Sequence, residues 1–483
     1  MTEYISLNPD IGLIGPEVTL VIAAFVILVF IPWKRMSTWA PFIALAGFAV
    51  SFYYTIQQWW ADPQSGFAGM VTTDDFGIAF KLLFLSVGVL TLFIAHRYLQ
   101  AKGLNKPEFY SLLLVSVMGM MVMANTTDLV VMFLGLEIMS VPLYVMAGLN
   151  RRNLESNEAG LKYFFLGAFA TAFLLMGIAF IYGASESTNL RRLVADFSYI
   201  ASNSTLFLYA GVSLILIGFG FKIAAVPFHS WVPDVYQGAP TPVTAFFSVG
   251  PKAAGFAVLL RIFLYGFADV TILPQVFWVL SVLTMSVGNI LALRQDNVKR
   301  MLAYSSIAHA GYILVALVVG GSAAISAAFF YLVAYMVFNL GGFAVVTALE
   351  TRSGCKSNFS ELAGLSKAHP FLSASLALFM FALSGFPPTV GFFGKFYIFS
   401  AAVKAGYIWL TVIGVMNSFV SVYYYLRVVK TSYFDKLEGQ FTPVSLSLSM
   451  YIALVITVIG TLGLGLFPQQ LLDLSQSAIF AFL

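Results

Sequence analysis

Cysteine is almost absent from this chain of 483 residues: Cys355 stands alone, which excludes an intramolecular disulfide and the paired spacings of zinc and thiol-redox sites. Histidine is scarce as well, with four, and no carboxylate or histidine cluster offers a metal site. Glycine-rich phosphate loops and nucleophile constellations are missing too. Only 10% of residues are charged, too few to cover a soluble globule. Long loops are lacking: the stretches between apolar runs, among them 350–370 and 430–445, are short, so catalysis in a separate aqueous domain is excluded. The net charge of +4 is scattered over short loops, and no basic stripe exists for a nucleic acid to follow.

What the chain has instead is hydrophobic length. Some 60% of its residues are hydrophobic, and apolar runs of roughly twenty residues, enough to cross about 30 Å of hydrocarbon, recur throughout. Fourteen are expected, at 14–31, 41–60, 76–96, 110–125, 129–149, 159–182, 205–228, 242–264, 273–293, 301–319, 323–349, 371–403, 407–429 and 446–467. The fold class is therefore an all-α polytopic membrane protein. The first run has no basic flank and no small-residue cleavage site, which reads as an uncleaved helix and not a signal peptide.

Charge tests this count, because cytoplasmic loops collect Lys and Arg. With an outer N-terminus carrying Glu3, Asp10 and Glu17, one face gathers Lys34, Arg35, Arg97, Lys102, Lys106, Arg151, Arg152, Lys162, Arg294, Lys299, Arg300, Arg352, Lys356, Lys367, Arg427, Lys430 and Lys436. The other keeps Asp62, Asp74 and Asp75, with Arg191, Arg192 and Lys404 as exceptions. Both termini are expected on the outer face. Trp33, Trp39, Trp59, Trp60 and Tyr423 to Tyr425 near span ends read as the aromatic belt.

Two spans are interrupted. The seventh meets Pro227 and runs into HSWVPDVYQGAPTP, and the twelfth holds Pro387 and Pro388 in LSGFPPTVGFFGK. A mid-helix proline frees backbone groups that survive in lipid only where protein or a water-filled cavity satisfies them. Matching breaks point to an internal repeat with the pathway between its copies. Pro227 and Pro387 are 160 positions apart, which fits five helices per unit. Five is odd, so the second copy enters from the opposite face and the repeat is inverted. The expected organisation is 1–109 for helices one to three, 110–266 for the first five-helix repeat, 267–430 for the second and 431–483 for helix fourteen.

Four ionisable groups lie inside these runs: Glu137, Lys222, Lys252 and Lys395. Each costs about 2.5–3.5 kcal/mol at the bilayer centre on insertion scales, so together they imply a polar path between helices. Glu137 is about nine residues into its helix, near mid-membrane at 1.5 Å per residue, and is either a charge partner for Lys222 or a carboxyl hydrogen-bonded to a neighbouring helix for packing. Lysine suits a proton switch because its charge state responds to burial, whereas arginine stays charged. Lys252 is too deep to snorkel, and the Gly250, Pro251 and Gly255 around it suggest close backbone approach. Lys395 follows the second break by a turn or two. His309, with Ser305, Ser306 and Tyr312 on nearly the same face, is either a relay between Lys252 and Lys395 or a satisfied helix-to-helix hydrogen bond. His229 and Asp234 beside the first break either line a cytoplasmic inlet or tie down freed carbonyls. His96 and His369 read as interfacial, and Lys81 as a snorkeller or a subunit contact.

The strings GLEIMSVPLY, GFKIAAVPFHSWVPDVYQGAPTPV, RMLAYSSIAHAGY and GFPPTVGFFGKFYIF resemble the antiporter-like membrane subunits of proton-pumping NADH:quinone oxidoreductase, respiratory complex I. Related subunits occur in multisubunit sodium/proton antiporters. Within the family the chain is most similar to the chain N group: Lys395 stands where chain M has glutamate, and the long lateral helix of chain L is missing. The resemblance implies fourteen helices in two inverted repeats, Glu137 and Lys222 as a coupling pair, Lys252 as central relay, Lys395 as exit-side site, and His309 on the polar axis. It also implies a cell inner membrane location, other membrane-arm subunits as partners, and indirect contact with a hydrophilic redox arm. This chain would carry no cofactor of its own, while NAD, flavin, iron-sulfur clusters and quinone belong to the whole complex. The rival readings are a subunit of a multisubunit cation/proton antiporter and an assembly scaffold whose lysines make structural ion pairs.

Overall fold

The computed structural model of the chain describes residues 11–33, 35–352, 357–436, 444 and 446–480. Glu3, Asp10, Lys34, Cys355 and Lys356, which enter the charge and thiol readings, lie outside the described residues. Apolar sequence in lipid must close its backbone hydrogen bonds internally, and helices do so. The chain begins with α1 (Gly15–Val29) and α2 (Met36–Trp59), then a small antiparallel hairpin of β1 (Gln64–Gly66) and β2 (Val71–Thr73). Next come α3 (Asp75–Ala101), α4 (Pro107–Ala124), α5 (Leu129–Ala147) and α6 (Leu154–Ser185). Two short helices, α7 (Leu190–Ala195) and α8 (Phe197–Asn203), lead into α9 (Thr205–Ile223), α10 (Trp231–Gly238) and α11 (Thr241–Arg261). Then follow α12 (Leu273–Ala292), α13 (Val298–Val319), α14 (Gly321–Glu350) and the single turn α15 (Leu365–Ala368). The chain closes with α16 (Pro370–Ser384), α17 (Val390–Lys404), α18 (Ile408–Phe434), α19 (Leu448–Leu466) and α20 (Pro468–Phe480).

Among the described residues thirteen helices are long and apolar enough to cross a membrane. The fourteenth crossing is made in two pieces. Helices α16 and α17 have 15 residues each, about 22 Å at 1.5 Å per residue, too short to span alone but sufficient in series. Polar residues punctuate the ends: the side chains of Asp74, Asp128, Asn153 and Asn297 cap α3, α5, α6 and α13 by accepting backbone N–H bonds. The hairpin and the short helices α7, α8, α10, α15 and α20 are additions to the expected spans. They are short, and their pairing depends on neighbours.

Helix α11 is buried along its whole length, and α13 and α14 nearly so. They form the centre. Helices α1, α2, α6, α18 and α19 carry the large exposed apolar side chains, such as Phe25, Phe42, Phe169, Phe419 and Ile459, that face lipid. Tyr424 and Tyr425 belong to the interior rather than to the aromatic belt expected of them, and only Tyr423 of the three is exposed. Lys81 neither snorkels nor faces outward: it is fully buried and paired with Glu17 at 2.8 Å, with Gln58 Oε1 at 3.1 Å.

Both expected breaks are present. Helix α9 stops at Ile223 with Ala224 left-handed (φ 63°), and α16 stops at Ser384 with Gly385 left-handed (φ 86°). The expected single span 205–228 is therefore a helix, an irregular linker 224–230 and the short α10. The prolines deny the next turn its hydrogen bonds. The Val226 N–H is taken by Thr284 Oγ1 at 3.0 Å, and the Phe221 carbonyl by the Trp231 indole at 3.2 Å.

Candidate functional site

Lys222 occupies the last turn of α9, just before the break, and is buried. Its Nζ donates to Ser140 Oγ at 2.6 Å and lies 5.9 and 5.6 Å from the ring centres of Tyr144 and Tyr163. Ser140 in turn donates to the Leu136 carbonyl. Ser140 sits one turn beyond Glu137 on α5. No Glu137–Lys222 ion pair closes within 4.0 Å, although the two interact electrostatically. Glu137 Oε1 is buried without a hydrogen-bond partner. The serine thus stands where the sequence places the carboxylate, and the carboxylate waits nearby with an unused acceptor.

Lys252 lies midway along α11 and reaches across to α13, where its Nζ donates to the Ser306 carbonyl at 2.7 Å and to Ser306 Oγ at 2.8 Å. The expected close approach is real at Gly255: a Cβ there would come within 2.8 Å of Ile223 and 3.8 Å of the Lys222 Cβ. Glycine lets the end of α9 lie against the helix that carries Lys252.

His309 is one turn farther along α13 from Ser306. It is buried, with Nδ1 2.7 Å from Tyr331 Oη and Nε2 3.0 Å from Tyr425 Oη. Tyr425 also bonds Ser305 Oγ. Tyr312, the next turn on the same face, has its hydroxyl 3.0 Å from Asn289 and its ring centre 5.1 Å from the Lys395 Nζ. Ser306, His309 and Tyr312 therefore form one polar face of α13, with Lys252 at one end and Lys395 at the other.

Lys395, six residues into α17, turns back to the break. Its Nζ donates to the Leu383 and Ser384 carbonyls at 3.1 and 2.9 Å and to Ser418 Oγ at 2.8 Å. The break creates the site: only where α16 ends are two carbonyls free to accept a cation.

The remaining candidates stand apart. Asp234 on α10 is half-exposed and bonded to Lys162 and Arg300, each at 2.7 Å, which ties α10 to α6 and α13. His229 lies in the linker with Nδ1 unpartnered. His96 is near Tyr110 and Gln100, and His369 accepts from the Val444 N–H. Sequence reasoning missed Ser140, Tyr331, Ser418 and Tyr425. Only Ser140 had a local signal, one turn from a mid-membrane glutamate. Among the described residues, no group of three His, Cys, Asp or Glu side chains could hold a metal.

Three other buried cations provide the contrast. Lys81, Arg261 and Lys299 are paired with Glu17 at 2.8 Å, Asp74 at 2.6 Å and Glu350 at 3.7 Å. Among the described residues, Lys222, Lys252 and Lys395 have no carboxylate within 4.0 Å, and hydroxyls and carbonyls accept their hydrogen bonds. A close buried pair, as at Lys81 and Arg261, is structural, costly to break and fixed in charge, whereas Lys299 stands off Glu350 at 3.7 Å. A buried amine without a counter-ion has a charge state open to exchange.

Comparison with known proteins places this arrangement in a family. A 45% identical relative from Trichlorobacter lovleyi, named NADH-quinone oxidoreductase subunit N, aligns over 97% of both chains. A chain in respiratory complex I from Thermus thermophilus with bound aureothin superposes with a TM-score of 0.81 at 33% identity, covering 95% of this chain and 99% of that one. The Mrp complex from a Dietzia species contains a chain of the same fold, with a TM-score of 0.85 at 22% identity and 97% of both chains covered. Residues 126–421, which hold every lysine of the polar line and both helix breaks, match the NADH:quinone oxidoreductase/Mrp antiporter transmembrane family, and the chain belongs to it.

Proposed function

We propose that this chain is the proton-translocating subunit N of an NADH:quinone oxidoreductase. Protons move through Glu137, Lys222, Lys252 and Lys395 while electrons pass from NADH to quinone elsewhere in the complex. The observation that carries this reading is the contrast among buried cations. An assembly scaffold would pair its buried cations closely, as Lys81 and Arg261 are paired, and the three on the polar line are not.

Lys222 and Glu137 form the end that senses the neighbouring subunit. When Glu137 approaches, Lys222 holds its proton; when Lys222 returns to Ser140, that support is lost. Lys252 passes charge along α13 past His309, and Lys395 in the second break is the outward site. The repeat units 110–266 and 267–430 are supported by their matched breaks, each opening on a left-handed residue. Against a membrane potential, each proton costs about 2.3 kcal/mol per 100 mV, so the driving energy comes from quinone reduction in other subunits.

The relative's name implies NAD and quinone for the complex, and the family implies flavin and iron-sulfur clusters there as well. A cluster needs several thiolates, and this chain has one cysteine. Its partners are other membrane-arm subunits in a bacterial inner membrane, with the basic loops on the cytoplasmic face. An antiporter would call for more mid-membrane carboxylates; Glu17, Asp74 and Glu350 lie near helix ends, which leaves Glu137 among the described residues.

In membranes containing the whole complex, Lys222→Ala and Glu137→Ala should each cut NADH-driven proton pumping severalfold at normal complex content. Undiminished pumping would refute these roles. Sodium-dependent proton exchange without NADH would favour the antiporter.

A further inference from the structure

On the face with the basic loops, a polar cavity of about 370 Å³ opens between helices, lined by Tyr98, Asn150, Asn153, Gln237, Lys299 and Glu350 among others. At its floor is Glu350, the last residue of α14 and buried. Its carboxylate accepts from Thr241 Oγ1 and from Ser357 Oγ at 2.5 Å, with Lys299 Nζ at 3.7 Å. Thr241 is the first residue of α11, the helix of Lys252.

From this point two polar stripes face each other through the centre of the molecule. On α11 they are Thr241, Thr244, Ser248 and Lys252, spaced three or four apart and so on one face. On α14, running the opposite way, they are Glu350, Thr347, Asn339 and Tyr335. The Thr241–Glu350 bond and the bond from Asn339 Nδ2 to Ser248 Oγ at 2.6 Å fix the register. Three buried atoms along the α14 stripe, Thr347 Oγ1, Asn339 Oδ1 and Tyr335 Oη, have no hydrogen-bond partner. A buried polar atom left without a partner is costly. Thr347 is conspicuous because Thr55, Thr457 and Thr461 each donate to the carbonyl four residues back, and Thr347 does not. Buried orphans along one seam are what bound water satisfies, with Phe343 standing between Thr347 and Asn339 on the same face. The stripe ends where the Tyr335 hydroxyl approaches Ser306, the residue that holds Lys252.

We propose that the seam between α11 and α14 is a proton-uptake path from the cavity at Glu350 to Lys252, separate from the break at α9. The inference rests on the reading that Lys252 exchanges protons. The Glu350 carboxylate takes a proton from cavity water and becomes neutral. It passes a proton along the hydroxyls and water of the seam, and the Lys252 amine becomes an ammonium as Glu350 returns to its carboxylate. Asp234 is less suited to the task, because Lys162 and Arg300 already hold both its oxygens.

The test uses the intact complex in membranes, with Cys355→Ser as background. Thr347→Cys should react with a small water-soluble methanethiosulfonate on the order of tenfold faster than Val345→Cys, an equally buried position on another face of α14. Equal rates would overturn the hydrated seam. In parallel, Thr347→Val and Asn339→Leu should roughly halve protons pumped per NADH at unchanged complex content, and Glu350→Gln should lose pumping that Glu350→Asp restores. If Lys252→Ala abolishes pumping while Thr347→Val and Asn339→Leu retain it, the seam falls and the role of Lys252 stands. If Lys252→Ala pumps fully, the underlying reading falls whatever the labelling shows.

Discussion

Lys395 shows how a buried cation is held without a carboxylate. The two carbonyls at the end of α16 and the hydroxyl of Ser418 use all three ammonium hydrogens, so the charge is solvated by dipoles and can leave as a proton without stranding an anion. Gly385 makes this geometry accessible. Its φ is 86°, and a Cβ there would lie 3.0 Å from the Lys395 Cδ and 3.3 Å from its Nζ. Gly385→Ala is expected to add about 1–2 kcal/mol of backbone strain and to push the ammonium off the carbonyls. Proton pumping per NADH should fall severalfold, with only a modest loss of complex content. A normal pumping ratio would show that Lys395 does not depend on this contact. Arg261 illustrates the opposite design. Bidentate to Asp74 at 2.6 and 2.8 Å and bonded to the Ala124 carbonyl, it locks the end of α11 to α3 and α4.

At the scale of elements, the two breaks are the devices that let helices carry chemistry. Each releases backbone groups, and each finds different partners for them: Trp231 and Thr284 at the first, Lys395 itself at the second. Removing the Thr284 hydroxyl should leave the Val226 N–H orphaned. Thr284→Val is therefore expected to destabilise by about 1–3 kcal/mol, read as a lower melting temperature of the purified complex, while Thr411→Val, a partly exposed position on α18, should leave it unchanged. The breaks were legible in the sequence because proline acts locally. The satisfaction of their freed groups was not, since Thr284 is 58 positions from Val226. The hairpin and α20 gave no signal for a similar reason: strands of three residues and a terminal thirteen-residue helix are stabilised by what they rest on, not by their own periodicity.

For the whole molecule, α11, α13 and α14 form a centre shielded from lipid by the outer helices, and the polar line crosses it from α9 to α17. The ion pairs of Asp234 lie at the rim, with the carboxylate and its partners each about a third exposed. Pairs so placed are worth about 0–1 kcal/mol. Asp234→Asn should accordingly change neither complex content nor pumping per NADH appreciably. A large loss of pumping at normal content would return proton uptake to the break at α9, where the sequence reading put it.

The sequence by itself determined the apolar helices, the two breaks and the places of Glu137, Lys222, Lys252 and Lys395 within those helices. Hydropathy, proline geometry and the cost of a buried charge are properties of a few neighbouring residues. Only the tertiary structure decided what those charges touch. Ser140 is 82 positions from Lys222, Ser306 is 54 from Lys252 and Asp74 is 187 from Arg261. Buried lysines with carboxylates and buried lysines without them look alike along the chain. Their difference arises when helices distant in sequence pack, because a partner's identity is fixed by which faces meet in the low-dielectric centre.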